Sequence, residues 1–237
     1  MRVRLLPWSV AGGPVNMAED EALLDSADEG VASLRFYGWS EPTLSLGYFQ
    51  PSAPALAYPG LAGLPWLRRH SGGAALVHHH ELTYALALPA GASGTSWIAR
   101  LHGYVQSALA RLGVESSLCE REEKLGEVLC FRHHTPGDLI VGGHKVAGSA
   151  QRKRRGALLQ HGGILLARSV YTPELPGLAE LTGGTVTAAK LQRRLLEVLR
   201  EEAGWHVEPG DWAAAERESL PGRIAARYGS PLWNARR

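Results

Sequence analysis

Strand-like segments in this chain arrive in consecutive blocks, with helical segments standing between the blocks instead of alternating with each strand. Residues 34–50 hold two short apolar and aromatic runs, LRFYGW and LSLGYFQ, separated by Ser40-Glu41-Pro42, which no helix crosses. Residues 64–69 and 75–78 flank a glycine turn, and 82–88 alternates well enough to continue the same sheet until Pro89. A second block comprises 128–131, 138–141, 144–149, 157–160 and 163–166. Within it Gly142-Gly143 supplies a two-residue hairpin turn, where positive φ is cheap. Grouped strands point to an α+β fold: a single domain over residues 1–237, with a mixed, largely antiparallel sheet flanked by helices. A doubly wound fold is disfavoured.

Three helices are expected. Asn16 is placed to cap one over residues 17–24, with acids in its first turn and Leu23 and Leu24 facing inward. Ser96 is placed to cap a second, whose Trp97, Ile98, Leu101, Val105, Ala108, Leu109 and Leu112 follow 3.6-residue spacing and pack across the sheet until Gly113. Residues 187–203 form the third, with Leu191, Leu195, Val198 and Leu199 on one face and Gly204 as its stop. Residues 117–127 read as charged and irregular, and 211–237 as a short helix followed by a loop.

Charge narrows the partners. With 25 basic against 23 acidic residues the net charge is +2, so neither nucleic acid nor an anionic membrane is attracted globally. An electrostatic partner has to be met by a local patch. Pro7 and Gly12-Gly13 interrupt the opening apolar run before a signal-peptide core forms, and no segment approaches membrane-spanning length. Two cysteines, Cys119 and Cys130, are too few for a disulfide scaffold and suit a reducing cytoplasm.

Cys130 is followed fifteen residues later by Lys145, inside Gly142-Gly143-His144-Lys145-Val146-Ala147-Gly148-Ser149. Thiolate is the nucleophilic form of cysteine, and a nearby cation favours it, so the pair suits an acyl acceptor. The plainer readings are a small buried hydrophobe for Cys130 and an exposed hairpin residue for Lys145. Arg68-Arg69-His70-Ser71-Gly72-Gly73 places two fork-shaped donors before an unobstructed turn, suited to a phosphate, a carboxylate or an acyl-chain mouth; a surface turn is the competing reading. His78-His79-His80 and His133-His134 lack zinc-site spacing, because neighbouring strand residues face opposite ways. No metal site is expected.

Three stretches in order, 68–85 (RRHSGGAALVHHHELTYA), 138–151 (DLIVGGHKVAGSAQ) and 159–166 (LQHGGILL), resemble the signature blocks of the biotin/lipoate protein ligase catalytic-domain superfamily. Residues 16–24, 36–50 and 228–234 are similar to its first helix, first strands and terminal segment. Glu81-Leu82-Thr83-Tyr84 and the position of Cys130 resemble the octanoyltransferases of the LipM type more than ATP-using ligases. Two positions depart from the family pattern: His78-His79 stands for its usual His-Asp, and Ala74 for a basic residue.

The resemblance implies an acyltransferase in which Cys130 takes octanoyl from octanoyl-acyl carrier protein. A lysine of a lipoyl-domain protein, such as glycine cleavage H protein or a 2-oxoacid dehydrogenase E2, then displaces the sulfur. Lys145 is the implied second catalytic residue, favouring the thiolate and accepting the amine's proton. Arg69, Ser71, Gly72, Gly73 and His78 are the implied lining of the acyl pocket, with Gly148, Ser149 and Ala150 closing its other side and His161 among the substrate-binding residues. Backbone amides near Ser149 or Cys130 are expected to hold the oxyanion. No cofactor is implied; ATP and Mg enter only if the chain is a lipoate ligase. Amidotransfer between lipoyl domains and a non-catalytic binding module are further alternatives.

Overall fold

The computed structural model describes residues 1–91, 97–126, 128–184 and 186–237. Its strands are β1 (Arg2–Leu5), β2 (Ser9–Ala11), β3 (Ser33–Trp39), β4 (Thr43–Leu46), β5 (Trp66–Arg68), β6 (Leu76–His78), β7 (Glu81–Leu88), β8 (Ser117–Leu118), β9 (Glu123–Lys124), β10 (His133–His134), β11 (Leu139–Val141), β12 (His144–Arg154), β13 (Ala157–Leu165) and β14 (His206–Pro209). Its helices are α1 (Gly13–Asp28), α2 (Ser52–Leu56), α3 (Trp97–Ala110), α4 (Leu178–Thr182), α5 (Ala188–Glu201), α6 (Ala214–Arg223) and α7 (Pro231–Asn234). A 3-10 turn covers Cys130–Arg132 and a π turn Ile224–Tyr228.

The main sheet has nine strands, running β14-β1-β3-β7-β13-β12-β11-β8 with β2 also on β3. β1 is parallel to β3 and β14, whereas the steps from β3 through β7, β13, β12 and β11 to β8 are all antiparallel. The expected mixed, largely antiparallel α+β architecture is therefore present. A separate small sheet, β5-β4-β6, stands beside it.

β7 explains the layering. All its residues are buried, and its side chains alternate between two covered faces. Leu82, Tyr84, Leu86 and Leu88 share a core with Val105 and Leu109 of α3 and Leu195 and Leu199 of α5. On the other face Ala85 and Ala87 meet Leu23 and Leu24 of α1. Small residues there let α1 lie close, which brings its polar side chains onto the sheet. Arg35 of β3 is gripped by α1 through Glu19, Asp20 and the Asn16 carbonyl.

Several expectations need correcting. α1 begins at Gly13 with Pro14 in its first turn, so Asn16 is a buried interior residue that donates to the Ala11 and Gly38 carbonyls. Its acids therefore fall in the second turn and answer Arg35, His161 and Arg227 instead of the helix dipole. Residues 64–69 and 75–78 build the small sheet with β4, and β7 belongs to the main sheet. Residues 157–160 and 163–166 are one strand, β13, running straight through Gly162 and Gly163. The stretch 117–127 contributes two short strands, and the tail holds α6, the π turn and α7. Residues 128–131 form no strand; they lead into the 3-10 turn. The Ser96 cap lies outside the described residues.

The inward stripe of α5 and its stop are as expected, with Thr187 accepting from the Lys190 amide and Gly204 at φ +64. α6 is tied to the N-terminal strand through buried Glu216, which accepts from Arg4 at 2.5 and 3.1 Å, Ser26 at 2.5 Å and the Ala213 amide at 2.7 Å. Burial pushes this carboxyl up, but those hydrogen bonds and the Arg4 charge outweigh it and hold its pKa below the ordinary value. A carboxyl depressed by folding stabilises the folded state above its unfolded pKa, and that contribution is lost as pH falls through the folded value. Glu216→Gln should cost about 1–3 kcal/mol near neutral pH. Urea melts of both proteins should converge below about pH 4, and an equal gap at pH 7 and pH 3 would refute the assignment.

Candidate active site

A solvent-open cavity of about 470 Å³ lies where the two sheets meet. Tyr37, Thr83, His161 and Gly162 of the main sheet form one wall, and Gly148, Ser149 and Ala150 of β12 continue it. Arg69, Gly73, Leu76 and His78 supply the small-sheet wall, Met17 comes from α1, and Cys130 and Phe131 come from the 3-10 turn. Eight of the residues expected here thus line one cavity: Arg69, Gly73, His78, Cys130, Gly148, Ser149, Ala150 and His161.

Lys145 reaches Cys130 from behind. Its Nζ stands 3.8 Å from Cys130 Sγ, and it donates to the Cys130 carbonyl at 3.2 Å and the His133 carbonyl at 2.9 Å. Asp138 Oδ2 lies 2.6 Å away, with both side chains buried. The carboxylate is itself fixed by the Thr135 amide and hydroxyl, at 2.7 and 2.9 Å. A Cβ at Gly148 would sit 2.6 Å from Lys145 Cε, so only glycine leaves this ammonium its berth. Asp138 had no assigned role in the sequence; the Pro136-Gly137 turn that folds it back onto Thr135 was the available signal.

The turn carrying Cys130 is anchored to the small sheet, with Cys130 N donating to Ala75 O at 2.7 Å and Ala75 N to Val128 O at 3.0 Å. The Cys130 amide is therefore spent and does not hold an oxyanion. The broken strand pattern at 128–131 has the same cause, since these residues bridge Ala75 only at Leu129 before turning.

Three serine–histidine couples surround the cavity. His161 donates from Nδ1 to Asp20 at 2.7 Å and accepts at Nε2 from Ser71 at 2.5 Å. His78 donates from Nδ1 to Glu81 at 2.6 Å and accepts at Nε2 from Ser45 at 2.7 Å, while stacking 3.7 Å from Trp39. His102 donates from Nδ1 to the Gly137 carbonyl at 2.6 Å and faces Ser149 at 2.7 Å. Each carboxylate or carbonyl only accepts, so the Nδ1 tautomer is fixed. Burial pushes His102 down to about 4 and lowers His78, in the latter case against the pull of Glu81. Sequence spacing revealed none of the partners Ser45, Asp20 and His102, which are distant along the chain.

Ser71 and Gly72 do not line the cavity. Ser71 is spent on His161, and the Gly72 carbonyl accepts from Arg69 Nη2 at 3.0 Å. Arg69 also grips the Ala74 carbonyl and the carbonyl and hydroxyl of Ser45, so its fork shapes the loop. Arg68 is likewise turned inward, to the Gly47, Gln50 and Asn234 carbonyls. His79 bonds Ser169, and His133 and His134 face Glu122 and Glu123. Both cysteines are free.

The chain matches the lipoyl protein ligase A/B catalytic domain over residues 13–174, and it belongs to that family. It is 30% identical to octanoyltransferase LipM of Kyrpidia tusciae, over 99% of this chain and 98% of that protein. It is 32% identical to octanoyltransferase LipM of Symbiobacterium thermophilum, with the same coverage. Among solved structures, a putative lipoate protein ligase from T. acidophilum superposes with a TM-score of 0.84 at 21% identity, covering all of both chains. A lipoate-protein ligase A bound with ATP gives 0.83 at 21% identity, covering 99% of each. The two structures share the fold.

Asp138→Asn would strand the buried Lys145 ammonium, a loss of roughly 3–5 kcal/mol in urea unfolding. Adding Lys145→Met should restore much of it, because no buried charge then remains. A cost under about 1 kcal/mol for the single change would show that the pair does not hold this turn.

Proposed function

We propose that this chain is a protein N-octanoyltransferase of lipoate biosynthesis, moving octanoyl from acyl carrier protein to a lipoyl-domain lysine through a thioester on Cys130. The observation that carries the reading is a cysteine sulfur on the wall of the cavity with an ammonium 3.8 Å behind it. Similarity to curated octanoyltransferases over 99% of the chain supplies the acyl group.

In the first step Cys130 Sγ, as thiolate, attacks the donor's thioester carbon. The donor's sulfur leaves and takes up a proton, and the octanoyl group stays on Cys130. In the second, the neutral amine of the acceptor lysine attacks the new thioester, loses its proton to solvent base, and releases the Cys130 thiolate beside Lys145. Lys145 enters both steps as a cation, with Asp138 and two carbonyls holding its protons, so the proton-accepting role that the resemblance implied for it is not used here. An amide is more stable than a thioester, so transfer runs downhill without ATP. Thr83, Tyr37, Met17 and Leu76 offer the acyl chain its resting surface.

The acceptors that fit are lipoyl-domain proteins such as glycine cleavage H protein or a 2-oxoacid dehydrogenase E2, and the site of action is the cytoplasm. Among the described residues no helix is long and apolar enough to cross a membrane.

Intact-mass spectrometry after mixing with octanoyl-acyl carrier protein should show one added octanoyl group, labile to hydroxylamine, on wild type and on Cys119→Ser. Cys130→Ser should stay unmodified and lose at least about 10³-fold in transfer. Acyl transfer that survives Cys130→Ser, or that requires ATP, would return the chain to the ligase class.

A further inference from the structure

Three guanidinium groups converge on one partly exposed aromatic cluster. Arg236, Arg152 and Arg237 lie 4.3, 5.6 and 6.0 Å from the Tyr48 ring centre. Arg236 is also 4.4 Å from the Trp233 ring, and Arg237 is 5.4 Å from that of Phe49, which is 66% exposed. Several arginines elsewhere in the chain are matched by carboxylates: Arg4 by Glu216, Arg35 by Glu19 and Asp20, Arg223 and Arg227 by Glu21. Among the described residues no side-chain carboxylate pairs with Arg152, Arg236 or Arg237.

Like charges gathered this closely repel, and the ring faces offset only part of that repulsion. Arg68 registers the crowding from below: burial first, then the Arg236 and Arg237 charges, lowers its pKa. Arg236 is held between the Tyr48 and Trp233 rings, with its Nη2 donating to Tyr48 OH at 2.7 Å. With a net charge of only +2, the chain as a whole does not explain such a cluster. A partner bearing anionic oxygens would.

The cluster adjoins the acyl cavity. Tyr48 N donates to the Ser71 carbonyl at 2.8 Å, Gly47 packs directly on Gly73 of the cavity wall, and Arg152 follows Ala150 by two residues on β12. We propose that this arginine-aromatic rim docks the acyl donor, an acidic carrier protein whose acyl group rides on a phosphate-bearing arm; the inference rests on the octanoyltransferase reading. Fixed guanidinium forks take phosphate and carboxylate oxygens in pairs.

The donor fits this rim better than the acceptor does. Cys130, the first atom the donor's thioester must meet, faces the acyl cavity. Lys145 instead lines a second solvent-open cleft of about 590 Å³, with Arg132, His144 and Glu174, and Phe131 borders both spaces. The rim borders the cavity that Cys130 lines, so a carrier docked there presents its thioester to the sulfur.

The test compares wild type, Arg152→Glu alone and the triple Arg152→Glu/Arg236→Glu/Arg237→Glu, each checked for an unchanged melting midpoint. Carrier binding is read by fluorescence anisotropy, independently of turnover. Transfer is read with octanoyl-carrier protein and with octanoyl-N-acetylcysteamine, an uncharged small thioester. Carrier affinity should fall about tenfold or more in the triple variant and about threefold in the single one, and the triple variant's salt dependence should flatten. Turnover of the small thioester and the KM for the lipoyl domain should not move. Unchanged carrier affinity, a rise in the lipoyl-domain KM instead, or an equal loss with the small thioester would each overturn the docking proposal. Rim-dependent carrier binding by a wild type that never acquires octanoyl would leave the docking site standing and remove the transferase reading.

Discussion

The buried ammonium of Lys145 organises the site, because a charge taken from water has to be met wherever it points. Three acceptors meet it, and they come from different segments: Asp138 ahead of β11, His133 in β10 and Cys130 in the 3-10 turn. Two of these are backbone carbonyls of the stretch that carries Cys130. The conformation of that stretch is thus dictated by the solvation needs of the lysine beside it. The absence of a side chain at Gly148, three residues on along Lys145's own strand β12, completes the arrangement.

Around this pair the cavity walls are braced by polar residues hydrogen-bonded to one another. Asp20–His161–Ser71 has the order and distances of a hydrolase triad. Its serine is 1% exposed and does not reach the cavity, so it is a brace between α1, β13 and the loop after β5. Glu81–His78–Ser45 braces the small-sheet wall in the same way, with Arg69 adding a bond to Ser45 and carrying the tie on to Gly72 and Ala74. Ser45 and Ser71 are buried and off the cavity, whereas Ser149 lines it, held by His102 and Tyr84 with a carbonyl and no carboxylate behind the histidine.

The parts of this fold that were legible before any coordinates are those governed by local periodicity. The α5 stripe, the Gly142-Gly143 hairpin and the grouping of strands all follow from side-chain spacing and backbone freedom. What stayed hidden depends on partners far apart in sequence. β7 looks continuous with 75–78, yet its two fully covered faces place it in the other sheet. Residues 128–131 have strand-like composition, but the pull of Ala75 and Lys145 on their backbone turns them. Asn16 reads as a cap because its amide suits one; the two carbonyls it satisfies, at Ala11 and Gly38, lie on β2 and β3. At the site, Cys130 and Lys145 were visible as a spacing and as a family resemblance. Asp138, which makes a buried lysine tolerable there, needed the tertiary contact.

A thioester enzyme has to offer its intermediate to an amine while denying it to water, and the histidines of this cavity are arranged for denial. His78 and His102 are held neutral by burial, so neither adds a charge to draw in solvent. The ring nitrogen left on each of these two, Nε2, is turned onto a serine hydroxyl, where it does not meet a passing water. The cation that steadies the sulfur is likewise saturated by its own acceptors and offers no lone pair. No side chain among these is free to activate water against the acyl group, whereas an amine carries its own lone pair to the carbon. Selectivity for aminolysis over hydrolysis then follows from what the walls withhold.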